Sequence, residues 1–72
     1  MNRRYSLASL DHPDTKVLVS IEEAALLLSV GRTMVYHLVM CGELRSVKVG
    51  RMRRVVVASL HEYVARLMAR AS

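Results

Sequence analysis

Two adjacent segments constrain the fold of this chain more than anything else in it. Residues Ser20 to Met40 read as two short helices hinged at Ser29-Val30-Gly31. Residues Val47 to Val57 then alternate valine with Lys48, Arg51, Arg53 and Arg54 around Gly50. The period changes from that of a helix to that of a strand within a few residues, which demands a mixed and tightly turned domain.

The first helix starts at Ser20. With Glu23 three residues on, Ser20 matches the capping box, in which the hydroxyl accepts from the N3 amide and the glutamate reaches back. At about 100° per residue, Ile21, Ala24, Ala25 and Leu28 share one stripe, the pattern of a core-facing helix. Ala24 and Ala25 are small enough for a second helix to cross closely. Gly31 is suited to act as turn residue and N-cap for that helix, expected from Arg32 to Met40. Val35, Leu38 and Val39 then face inward, and Thr33, Tyr36 and His37 face outward with Arg32 and Met34 beside them. Gly42 suits the left-handed end of the helix.

A hairpin is expected next, with Val47 and Val49 on one strand, a turn at Gly50-Arg51-Met52, and Arg53 to Val57 on the other. A third helix is expected over Ser59–Arg70, capped by Ser59 and Glu62, with Leu60, Tyr63, Val64 and Leu67 inward. Val17 to Val19 reads as a short lead-in strand. The fold expected is α+β and mainly α: three helices and a two-stranded hairpin wing spanning 17–72. Residues 1–16, broken at Asp11-His12-Pro13-Asp14, read as a mobile arm.

Charge separates the segments further. Residues 1–31 carry a net −1, residues 32–54 a net +5 and the rest +1. A basic excess concentrated on the second helix and hairpin is the footprint of a polyanion binder. The longest uninterrupted apolar run, Ala24 to Leu28, is far short of the ~18 residues of a membrane span. Arg3 and Arg4 are followed by no signal-type apolar core. With a lone cysteine, Cys41, no internal disulfide can form, which fits a reducing interior. The expectation is a polyanion-binding protein of a reducing, intracellular compartment, with no membrane partner.

Chemistry-bearing constellations are sparse. His12, His37 and His61 are isolated, no paired carboxylates flank a plausible pocket, and no glycine-rich phosphate loop precedes a helix. The reading is of no enzyme, no small-molecule substrate and no cofactor. His37 and Cys41 lie four apart on one helix, but two ligands are too few for a metal site, and Cys41 is expected to plug the helix end as a small apolar residue.

The run from Ser20 to Tyr36 resembles the helix-turn-helix of the excisionase family of DNA-binding domains, which are related to mercury-resistance-type regulators. The similarity continues through Gly42-Glu43-Leu44, the Val47 to Arg51 wing, Arg53-Arg54 and Ser59 to Tyr63, covering about Val19 to Leu67. It implies a small winged helix-turn-helix protein without catalytic residues. Such a protein binds adjacent sites on attachment DNA, bends it, contacts an integrase and biases recombination toward excision in phages and mobile elements. The chain departs from the pattern at Gly31, where a serine cap is usual, at Arg45, where proline is common, and in Val55-Val56-Val57, which lacks a common proline. Without that first proline the lead into the wing is expected to be less rigid.

The DNA-contacting residues expected are therefore Arg32, Thr33, Met34, Tyr36 and His37 on the second helix, whose N-terminal part meets base edges in such proteins, and Lys48, Arg51, Arg53 and Arg54 on the wing. Arg32 is the best match for guanine O6 and N7. Four phosphate contacts by the wing would give a salt slope of about −3.6. The bland alternatives are a solvated charged hairpin and a polar helix face that reads nothing. Leu26 falls opposite the core stripe of the first helix; it is either an ordinary exposed leucine or a protein contact, to a neighbouring copy on DNA or to an integrase. Cooperative self-association on DNA is expected, since one module buries limited surface. So few residues follow the third helix that an effector domain is not expected. Two other functions fit the same pattern: a small helix-turn-helix transcriptional regulator, and an interaction module whose basic face binds an acidic protein.

Overall fold

The computed structural model describes residues 16–71, so most of the arm assigned to 1–16 lies outside the described residues. In chain order the elements are β1 (Leu18–Ser20), α1 (Ile21–Leu28), α2 (Arg32–Met40), β2 (Ser46–Val49), β3 (Met52–Val56) and α3 (Val57–Ala71).

The corner between α1 and α2 is built locally. The Ser20 hydroxyl accepts from the Glu23 amide at 3.0 Å, satisfying one of the unpaired donors that open a helix. The Glu23 carboxylate is engaged by Lys16 at 3.1 Å. Ala24, Ala25, Val35 and Leu38 are buried, and Val35 is fully enclosed. The hinge differs from expectation in one respect. Ser29 takes the left-handed conformation, at φ 59°, whereas Gly31 is an extended N-cap at φ −83° without a side-chain cap bond. Ser29 closes α1 by donating its amide to the carbonyls of Ala25 and Leu26, which holds a non-glycine residue where backbone sterics disfavour it.

The wing is part of a larger sheet than a hairpin. Its strand order is β1-β3-β2, antiparallel throughout, so the lead-in strand pairs with β3 and makes three strands where two were expected. Val19 faces Val55, and both are buried. Val49 pairs with Met52 across a two-residue turn, Gly50-Arg51, with Gly50 at φ 63°. A glycine first and a negative φ second is the type II′ pattern that suits hairpin twist.

Helix α3 departs most from the sequence reading. It starts at Val57, so Ser59 lies inside it rather than at its cap. Ser59 is 2% exposed. Its hydroxyl donates to the Val56 carbonyl at 2.7 Å and accepts from the Arg45 amide at 3.1 Å. Glu62, the other half of the supposed box, binds the Arg45 guanidinium at 3.1 Å. Arg45 is therefore held at its backbone and its side chain, and the lead into the wing is tied down rather than loosened. Leu60 is buried and Tyr63 packs against the core, but Val64 and Leu67 remain 39% and 40% exposed. The latter half of α3 thus projects past the core instead of packing inward. Arg66 and Arg70 anchor it to Glu43, at 3.0 and 3.6 Å.

Among the described residues no helix is long and apolar enough to cross a membrane.

Candidate nucleic-acid interface

Helix α2 owes its position to its inner face. Val35 and Leu38 are buried and Val39 packs beside them, so the helix can turn only its other side outward. Arg32, Thr33, Met34, Tyr36 and His37 are all exposed there. This is the placement expected of a recognition helix, and the five residues lie on one continuous surface of a single helix.

Arg32 is the organised member of that group. Its Nε lies 3.1 Å from Glu22 Oε2, its Nη2 donates to the Tyr36 hydroxyl at 3.2 Å, and its Cζ sits 5.6 Å from the Tyr36 ring centroid. The guanidinium is held above its ordinary pKa, first by the hydrogen bond to Tyr36 and then by the charge of Glu22, so it stays charged under all ordinary conditions. Glu22 was not foreseen. An acid in the first turn of a helix is what the helix dipole favours, and read in one dimension it needs no other explanation.

The wing cations do not form one cluster. Register and alternation place Lys48 directly opposite Arg53, on the same sheet face as Ser46, Val55 and Val19. Arg53 donates to the Ser46 hydroxyl at 3.0 Å. Arg54 lies on the other face, opposite Val47, with its Nη2 3.4 Å from Met52 Sδ. Arg51 sits at the turn. Two like charges directly opposite each other on a strand pair repel, and an anion between them removes that penalty. Lys48 and Arg53 are thus the pair best arranged for a phosphate. Val47, Val49 and Met52 leave an exposed apolar strip on the face that carries Arg54.

Other candidates resolve less dramatically. Leu26 is 79% exposed, as its place on the helical wheel requires. Cys41 is exposed rather than a buried plug, with its Sγ 3.7 Å from the Leu38 carbonyl. Among the described residues no group of three or more His, Cys, Asp or Glu could hold a metal ion. An open groove of about 630 Å³ lies between α1 and α3, lined largely by Leu27, Leu28, Val57, Leu60 and Val64.

Comparison with known proteins adds two findings. The family described as a helix-turn-helix domain matches residues 18–68. A protein of Saccharopolyspora erythraea described as a probable excisionase is 47% identical over 57 residues, which cover 79% of this chain and 58% of that protein. The chain therefore spans less than two thirds of that relative's length. No solved structure matches.

Proposed function

We propose that this chain, which belongs to the helix-turn-helix domain family, acts as an excisionase, a protein that binds and bends attachment-site DNA and directs an integrase toward excision. Helix α2 enters the major groove and the wing lies along an adjacent groove. Arg32, Thr33, Met34, Tyr36 and His37 meet bases and nearby phosphates, and Lys48, Arg51, Arg53 and Arg54 supply most of the affinity. The observation that carries the DNA-binding part is the division of α2 into a buried inner face and a wholly exposed outer one. The excision part rests on likeness to the probable excisionase.

A single module of this size buries little DNA surface, so adjacent copies or the integrase supply the remaining affinity. Leu26, exposed on α1, is the proposed protein contact. Leu26→Lys should leave single-site binding intact and lower cooperativity on tandem sites; undiminished cooperativity removes Leu26 from the interface.

The deciding experiment is a recombination assay with an integrase and its attachment sites, scored for excision with and without the protein. Excision is expected to rise with it. Tight DNA binding that leaves excision unchanged, together with protection of a promoter, would replace this reading with that of a transcriptional regulator. Loss of all duplex binding at low salt would favour an acidic protein partner.

A further inference from the structure

Arg32 begins α2, at the end of the helix that meets base edges in this architecture. Its side chain is fixed by two partners, Glu22 at Nε and the Tyr36 hydroxyl at Nη2. Both members of the Glu22–Arg32 pair are more than half exposed. An exposed ion pair adds little to stability, and a carboxylate beside a polyanion-binding face opposes binding. The helix dipole favours an acid in the first turn of α1, but it does not account for one placed 3.1 Å from Arg32.

The geometry of the guanidinium does. Arginine presents its N–H groups as a rigid planar fork, and it can grip two acceptors either along the Nε edge or end-on through both terminal nitrogens. Here the Glu22 carboxylate lies 3.1 Å from Nε as an ion pair and occupies that edge, and one Nη2 hydrogen goes to the Tyr36 hydroxyl. The end-on pair remains, from Nη1 and Nη2, and an end-on arginine matches the O6 and N7 acceptors of guanine in the major groove. A free arginine on the same helix would swing to the nearest phosphate instead.

We propose that Glu22 is a positioning residue for base recognition: with Tyr36 it holds the Arg32 fork end-on toward a guanine and keeps its charge from being spent on the phosphate backbone. This rests on the reading of the protein as a DNA binder. It makes two opposite demands on one substitution. Glu22→Gln removes the charge that holds Arg32, so affinity for arbitrary duplex rises and the salt slope steepens by about 0.9, the amount for one more phosphate contact. Preference for guanine at one position falls about tenfold at the same time.

The test is selection from a randomised duplex library by the wild type and by Glu22→Gln, Arg32→Ala and Arg32→Lys, with affinity for a pooled duplex measured across salt. Arg32→Lys keeps the charge but lacks the planar fork, so it should retain the salt slope and lose the preference. Support requires that Glu22→Gln and both Arg32 variants flatten the same position of the selected sequence. An unchanged profile in Glu22→Gln overturns the proposal, as does a uniform gain over all sequences, which would make Glu22 a mere repulsive charge. A wild type that binds duplex but selects no sequence overturns it too. A wild type that binds no duplex at all would instead remove the functional reading on which it rests.

Discussion

The two basic regions of this protein treat their charge in opposite ways. On α2, Arg32 lies between Glu22 and Tyr36 at 3.1 and 3.2 Å, so its guanidinium has partners on the protein before any ligand arrives. On the wing, Lys48 and Arg53 oppose each other across β2 and β3, and the contact that steadies Arg53 is a neutral serine hydroxyl. A neutralised, oriented cation contributes little to long-range attraction but can discriminate between acceptors. Unneutralised cations attract any phosphate and discriminate among none. The comparison assigns specificity to the corner and affinity to the wing, and that division can be broken experimentally.

The largest effect should come from removing the wing pair. Lys48→Ala with Arg53→Ala is expected to lower affinity about tenfold for each lost charge-assisted contact, about a hundredfold together, and to reduce the magnitude of the salt slope by about 1.8. The loss should be the same for every duplex sequence. Titrations of two unrelated duplexes across salt check this; a loss confined to one of them would place these residues among the base readers and collapse the division.

Next in size is the attachment of the wing. Ser59 bonds both Val56, the last residue of β3, and Arg45, the residue that leads into β2. Ser59→Ala leaves a part-buried amide without its partner, and about 1 kcal/mol of stability should go with it. Thermal and urea unfolding measure that cost. If the wing depends on Ser59 and the corner does not, the refolded variant should also bind more weakly while selecting the same sequence as the wild type. Arg32→Ala should do the reverse, costing about tenfold against a single base pair while changing the salt slope little, because its charge is already balanced by Glu22.

The contrast between the regions is also a contrast in what a sequence discloses. The corner was legible because its determinants are local: the Ser20 cap, the stripe from Ile21 to Leu28 and the inner face of α2 all act within a turn or two of themselves. Ser59 and Glu62 carry the same spacing as Ser20 and Glu23, yet the pattern misled. Their polar groups are taken by Arg45, fourteen and seventeen residues away in sequence, and no window along the chain shows that. Val64 and Leu67 follow helical spacing but outrun the small core they were expected to join. On the wing, alternation alone puts Arg53 and Arg54 on opposite faces, so the charge run was never one patch. Which face carries the core was fixed only by the pairing of Val55 with Val19. For the site itself, the exposed residues of α2 could be named from periodicity, whereas Glu22 became visible only once α1 and α2 had crossed.

The smallest effect tests the wing without any DNA. If Lys48 and Arg53 repel each other in the free protein, Lys48→Gln should stabilise the fold by about 0.2 to 1 kcal/mol, the range for a directly opposed pair. Arg54 supplies the control, because it faces Val47 on one side and Ser20 on the other, with no cation opposite. Arg54→Gln removes the same charge and should bring no such gain. Salt separates repulsion from altered strand propensity, since a Coulombic gain between exposed groups fades as the screening length shortens from about 10 Å at 0.1 M to about 3 Å at 1 M. Melting curves of both variants at those two salt concentrations are sufficient. A gain for Lys48→Gln that persists at high salt, or an equal gain for Arg54→Gln, would mean that the wing stores no repulsion for an anion to relieve, and the phosphate assignment of the opposed pair would lose its energetic basis.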